Sequence, residues 1–140
     1  MSTVEIEEGK FSDIIARIPP DTPIVMLNLL RFADIAEYPG GSEMDSCSGR
    51  DAYMKRYIVP AKPYLRQVGG ESIYQSEVSA TLLGAEGEQW DVMTLYRYPS
   101  IGAFVEMVTG PEYLELRKHR EAALSDSRLI ATIEAELYEN

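Results

Sequence analysis

Apolar side chains recur at Phe11, Ile14, Ile15 and Ile18, a spacing that predicts a helix over residues 9–18. Pro19 and Pro20 stop that helix and deliver the chain extended. Residues 23–32, PIVMLNLLRF, are branched and apolar and are bounded by proline and later glycine, which predicts a central strand. Residues 36–50, AEYPGGSEMDSCSGR, have the composition of a mobile loop. Ser48-Gly49-Arg50-Asp51 reads as a capping box with Asp in place of Glu, opening a helix to about Val68 that stops at Gly69-Gly70. Pro60 and Pro63 lie inside this helix and predict a kink or split near Val59.

Residues 71–84, ESIYQSEVSATLLG, alternate between polar and apolar and predict a strand. A short turn from Gly84 to Gly87 then leads into QWDVMTLYRY, residues 89–98, completing a hairpin. Pro99 cannot donate to a ladder and Ser100 is a good N-cap, so the chain switches there into a helix over Ile101–Val108. Gly110-Pro111 opens a further helix, 111–124, and residues 127–139, SRLIATIEAELYE, close the chain as an alternating strand. After the first helix the order is βαββαβ. This predicts an α+β ferredoxin-like fold, an antiparallel sheet with helices on one face. No linker or internal repeat divides the chain, so one domain over residues 1–140 is expected, with residues 1–21 as a helical extension.

The first strand reads apolar on both faces, Val25, Leu27 and Leu29 on one and Met26, Asn28 and Leu30 on the other. A sheet with helices on one side only would leave one of those faces in water. A second copy packed on it about a two-fold axis removes the problem, and a homodimer is expected.

A formal charge of −10, with no cluster of basic residues, disfavours nucleic acid and anionic membranes as partners. Cys47 is the single cysteine, which excludes an internal disulfide and a cysteine-based zinc site. The acidic N-terminus has no apolar run of signal-peptide type, and no stretch reaches transmembrane length, so a cytoplasmic protein is expected.

Four segments, PIVMLNLLRF, YMKRYIVPAKPYLRQVGG, WDVMTLYRYPSIGAF and PEYLELRKHREAAL, resemble the DUF1330 family of the dimeric α+β barrel superfamily over about residues 22–139. The resemblance implies a dimeric α+β barrel. The superfamily also holds cofactor-free monooxygenases, haem proteins, lactone isomerases and small stress-response dimers, so it implies an activity only by analogy.

Several residues could carry chemistry. Arg120 falls on the apolar face of helix 111–124 with Tyr113, Leu116, Ala123 and Leu124. A charge there is either paired with a carboxylate such as Asp91, Glu134 or Glu136, or faces a cavity that takes an anion. Arg97, at the end of its strand, is suited to capping an edge carboxylate, to an intersubunit salt bridge or to a ligand contact. His119 is the only histidine, and Glu115 one turn earlier would favour its protonated form; it is a candidate general base or haem ligand, or a half-exposed surface group. Asn28 interrupts an apolar strand and either bonds a neighbour or lines a polar spot in a cavity. Tyr53, Tyr57, Pro60 and Tyr64 form a stripe that Tyr74 and Trp90 could extend, as core or as pocket wall.

A single histidine makes no His-rich metal site, and neither a metal nor a cofactor is expected. The leading expectation is a homodimer that binds a small aromatic or carboxylate-bearing molecule between sheet and helices. It would have His119 and Arg120 as catalytic candidates and Asn28, Tyr53, Tyr57, Tyr74 and Arg97 as ligand contacts, in the manner of a cofactor-independent monooxygenase or isomerase. The alternatives are a non-enzymatic dimeric scaffold or sensor, and haem binding through His119.

Overall fold

Four antiparallel strands form one sheet in the computed structural model, which describes residues 8–40 and 44–139. The strands are β1 (Ile24–Phe32), β2 (Glu71–Glu77), β3 (Val92–Tyr98) and β4 (Leu124–Thr132), in spatial order β2-β3-β1-β4. The helices are α1 (Glu8–Ile15), α2 (Gly49–Asp51), a π-helical segment Ala52–Ile58, α3 (Val59–Gln67), α4 (Ile101–Thr109) and α5 (Pro111–Ala123). With α2, the π segment and α3 forming one continuous helix, this is the ferredoxin-like α+β arrangement read from the pattern.

Period-two alternation sets the faces. Ile24, Met26, Asn28 and Leu30 of β1 are buried beneath the helices, while Val25, Leu27 and Leu29 on the other face are only half-buried. The register places Leu27 between Leu95 of β3 and Ile130 of β4 on that open face.

Local chemistry fixes the helix ends. Ser48 Oγ accepts a hydrogen bond from Asp51 N at 3.0 Å and Ser100 Oγ accepts one from Ala103 N at 3.1 Å, so both predicted caps form. Gly69 takes φ +80°, and the bonds Gly69 N to Arg66 O and Gly70 N to Leu65 O close the last turn of α3 as a Schellman motif. At Val59, where Pro60 and Pro63 predict a kink or split, the helix changes from the π segment to α3: the turn before Pro60 is wide, with Val59 N bonding back to Met54 O. A wider turn relieves the crowding of a proline ring against the preceding carbonyls.

Two strands are shorter than their alternation predicts. β2 ends at Glu77 and β3 begins only at Val92, so residues 78–91 form a long connection instead of a Gly84–Gly87 hairpin turn. Asp91 closes the ladder: its N donates to Leu30 O, its Oδ2 accepts from Phe32 N at 2.8 Å, and its O accepts from Val78 N. β4 starts at Leu124, directly after α5, and ends at Thr132 opposite Val25. Beyond that point β1 runs out at Pro23 and offers no further ladder, so residues 133–139 stay unpaired despite their alternation.

The loop between β1 and α2 is pinned at its ends. Ala33 N donates to Ala123 O, Ala36 N to Cys47 O, Glu37 N to Ala122 O and Gly49 N to Ala33 O. Further along, Tyr38 reaches α5, its hydroxyl 2.6 Å from His119 Nδ1 with the rings edge-to-face at 5.4 Å. Arg56 donates to the same Tyr38 oxygen at 3.3 Å and to Asp45 O at 2.7 Å. His119 therefore braces a loop against two helices. Its pKa is lowered by burial and by the nearby Lys118 and Arg56 cations, not raised by Glu115, whose carboxylate lies toward Lys118 at 3.8 Å.

Gly49 sits where no side chain fits. A Cβ there would collide with Ala33 O and stand 2.5 Å from Ala123 O, both backbone atoms held in hydrogen bonds. Gly49→Ala is expected to cost about 3 kcal/mol or more, read as a loss of denaturation midpoint. The lowered His119 pKa gives a second expectation. The unfolded chain binds the proton more readily, so the stability tied to neutral His119 is complete above about pH 6.5 and declines as pH falls through that value toward the folded pKa. Urea midpoints measured at pH 7.5 and pH 5 should therefore fall further for the native chain than for His119→Asn; equal falls would contradict the assignment.

Candidate functional site

Apolar packing divides into two clusters along the sheet. One gathers Leu30, Tyr53, Tyr57, Val92, Tyr113 and Leu124, and the other Ile24, Met26, Tyr98, Ile101 and Phe104. Between them on β1 and β3 lie Asn28 and Thr94, directly paired in the ladder. Above this polar interruption is a cavity of about 1140 Å³, floored by the sheet and walled by the π segment, α3 and α5, with Phe11 and Ile14 of α1 also at its edge.

The π segment supplies the aromatic wall. Tyr53 and Tyr57 face inward, and because the turn is wide the face continues through Ala61 and Leu65. Tyr64 lies outside the cavity lining, which corrects the four-residue stripe expected from ordinary helical spacing. Tyr57 and Phe32 both pack on Tyr53, at 5.1 and 5.6 Å between ring centroids. Tyr57 OH and Tyr113 OH share a hydrogen bond of 2.5 Å across the gap to α5.

Arg120 reaches this cluster from α5 and hydrogen-bonds the Tyr53 phenol. Protein atoms enclose it on nearly all sides, yet part of its surface stays accessible, because what it faces is the cavity. Burial alone would lower its pKa, but Tyr53, Tyr57, Tyr113 and Glu121 outweigh that and raise it, so it remains a guanidinium. Burial pushes the Tyr53 phenol up against the pull of Arg120, and burial with the neighbouring Tyr113 pushes Tyr57 well up. Both stay neutral and can donate hydrogen bonds. Phenols and Glu121 are thus among the groups that surround Arg120.

Charge is distributed unevenly around the recess. Lys10, Arg50, Lys62, Arg117, Arg120 and Arg128 line it, against the carboxylates Glu77 and Glu121, in a chain with 13 basic and 23 acidic residues. Arg50 pairs with Glu77 at 3.2 Å, Arg117 with Glu121 at 2.6 Å and Arg128 with Asp126 at 2.7 Å. Arg128 also lies over the Trp90 ring at 5.1 Å.

Of the expected site residues, the cavity brings together Asn28, Tyr53, Tyr57 and Arg120. Three others lie away from it. His119, next to Arg120 in sequence, points to Tyr38 and is not among the cavity-lining residues, so the recess has no imidazole for proton transfer or haem ligation. Adjacent residues on a helix diverge by about 100°, which is why they part. Arg97 lies on the open sheet face and pairs at 3.1 Å with Glu71, its direct neighbour on β2. Tyr74 is on that open face too, 51% exposed opposite Leu95. Sequence reasoning missed Tyr113, which it had counted as core, and Thr94. The alternation of β3 did place Thr94 with Val92, Tyr96 and Tyr98, and a hydroxyl among buried neighbours was the available signal. Among the described residues, no group of three or more His, Cys, Asp or Glu could hold a metal ion, and no helix is long and apolar enough to cross a membrane.

A family model for DUF1330, a domain of unknown function, matches residues 47–133. Curated proteins give no match. Among solved structures, methylated RPA0582 shares 34% identity and superposes with a TM-score of 0.88 over 99% of this chain and 98% of that one. A second crystal structure of RPA0582, described as a protein of unknown function from Rhodopseudomonas palustris, gives 34% identity and 0.86 over 96% and 98%. A NIPSNAP-like domain protein from Burkholderia xenovorans shares the fold at 14% identity, with a TM-score of 0.51 over 86% of this chain and 91% of that one. A dabb family protein from Mesorhizobium loti with a ferredoxin-like fold does so at 12% and 0.51 over 81% and 97%. With more than half its length matched by the family model and relatives aligned nearly end to end, the chain belongs to the DUF1330 family.

Proposed function

We propose that this protein binds a small organic anion, an apolar or aromatic molecule carrying a carboxylate, in the recess between sheet and helices. One observation carries the reading: six basic residues and two acidic ones line the recess of a chain whose net charge is −10. Arg120 is the deepest candidate anchor, because its planar fork suits a carboxylate and its enclosure keeps competing water few. The neutral Tyr53 and Tyr57 phenols add donors beside it, and Met107, Val108, Leu65 and Phe104 offer hydrocarbon to the rest of the molecule. A volume of about 1140 Å³ matches a ligand of drug-like size.

A second copy of the chain is proposed to cover the open sheet face. Val25, Leu27, Leu29, Met93 and Leu95 are only half-buried there, with Tyr74 and Ile130 exposed beside them. A contiguous apolar patch of that kind is characteristic of an interface.

Calorimetric titration tests the binding site. Phenylpropanoate should bind the native chain, and Arg120→Met should weaken it about 10- to 100-fold, the worth of a charge-assisted hydrogen bond. Phenylpropanol, which lacks the charge, should lose nothing; equal losses for acid and alcohol, or none for either, would refute the anion site. Sedimentation equilibrium tests the second copy: a mass of twice 15.7 kDa is expected at micromolar concentration, and Leu27→Lys should halve it while leaving the fold intact. A native chain that sediments at 15.7 kDa would refute it.

A further inference from the structure

The floor of the recess holds a group that the anion site does not use. Thr94 lies at the centre of the sheet, with Asn28 its partner on β1 and Gln75 its partner on β2. These three side chains make a row of amide, hydroxyl and amide across three strands, and all three line the recess. Thr94 is 7% exposed, and its Oγ1 is the one buried side-chain polar atom among the described residues without a hydrogen-bond partner. Gln75 spends a donor on Ser72 Oγ at 3.1 Å and does not complete Thr94.

An unpaired buried hydroxyl opposes folding, and valine would fill the same space in a strand without that penalty. The neighbours on the same face, Val92 and Tyr98, are apolar or aromatic, so hydrocarbon is readily accommodated there. What distinguishes this position is that Thr94 belongs to the lining of a recess instead of a closed core, although its Oγ1 is itself covered. A turn of the Thr94 side chain toward the recess would let a ligand oxygen supply the missing bond.

We propose that Thr94 is a specificity-determining residue and that the bound molecule is an oxo- or hydroxy-acid, whose carboxylate lies toward Arg120 and whose second oxygen bonds Thr94 Oγ1. The inference rests on the anion site proposed above and narrows its ligand class. A hydroxyl can donate to a ketone oxygen or accept from an alcohol, so either functional group satisfies it. A site that holds a polar group for a ligand oxygen rejects analogues lacking that oxygen, because the site's own group is then left unpaired.

Matched acids that differ only by a ketone read this directly in calorimetric titrations. The pairs are phenylpyruvate with phenylpropanoate, benzoylpropionate with phenylbutanoate, and benzoylbutyrate with phenylpentanoate, which step the ketone away from the carboxylate. At least one oxo-acid should bind the native chain about 10-fold more tightly than its parent. In Thr94→Val that advantage should shrink to about 2-fold or less, while the parent acid keeps its native affinity. The variant should also melt no lower than the native chain, since it loses only an unpaired hydroxyl. Three results would overturn the inference: an oxo preference that survives Thr94→Val, parent acids binding as well as every oxo-acid, or a clearly lowered melting temperature. The first two leave the Arg120 site standing. Absence of binding by all six acids would remove both.

Discussion

The helix-facing side of the sheet is interrupted at its middle by polar side chains, and the rest of the molecule is arranged around that interruption. Asn28 stands between Met26 and Leu30 on β1, and Thr94 between Val92 and Tyr96 on β3. Pressing hydrocarbon onto an amide and a hydroxyl costs about 1–3 kcal/mol for each group left unpaired. Apolar helices therefore gain more by packing to either side. One cluster forms around Leu30 and Tyr53, the other around Ile24 and Phe104, and the space over the polar pair stays open. The recess thus adjoins the polar interruption between the two clusters.

The same economy places the charged group. Arg120 rises from a helix whose other inward residues, Tyr113 and Ala123, belong to the Leu30 cluster, so its guanidinium is carried to the border between cluster and recess. Phenols are suited to that border, since each ring contributes apolar surface to the cluster while its hydroxyl serves the polar side. Tyr53 and Tyr57, one turn apart, both do this, and the π-helical turn carries the same face on to Ala61 and Leu65. One residue away, His119 turns to the loop and is spent on structure. Helical geometry separates a cavity-facing cation from a bracing imidazole with no intervening sequence.

The elements were legible in the sequence wherever a local signal determined them. The Ser48 and Ser100 caps, the Gly69 stop and the alternation of β1 each act within a few residues, and each formed as read. Strand lengths were not legible, because alternation says which side chains would share a face and not whether a partner strand is present. Leu82 and Leu83 in the 78–91 connection alternate or run apolar as well as β2 does, yet are 91% and 96% exposed for want of a ladder. The site was legible in part for a related reason. Burial of Arg120, Asn28 and Tyr53 follows from periodicity, whereas the side chains Arg97 and Tyr74 go to the face opposite the helices, and the Ile73 bulge in β2 shifts the phase that would have predicted it. His119 illustrates the remaining gap. Chemistry made it the obvious proton carrier, but its direction depends on Tyr38, eighty-one positions away in sequence.

If the recess binds the anion proposed above, an acidic exterior around a basic lining would discriminate between anions by size as well as by charge. At physiological ionic strength fields from exposed charges fade over about 8 Å, so the acidic exterior repels a molecule only when that molecule must lie against it. A polyanion such as a nucleic acid would contact much of the surface and meet a net charge of −10. A small monoanion need pass the exterior only briefly before entering a recess where cations outnumber carboxylates and protein atoms displace solvent, which strengthens each interaction. On the proposed reading the exterior charge and the lining charge would be parts of one selectivity. The outer carboxylates would exclude large anions from the cationic lining, and the apolar walls with the Thr94 hydroxyl would sort among the small ones that remain.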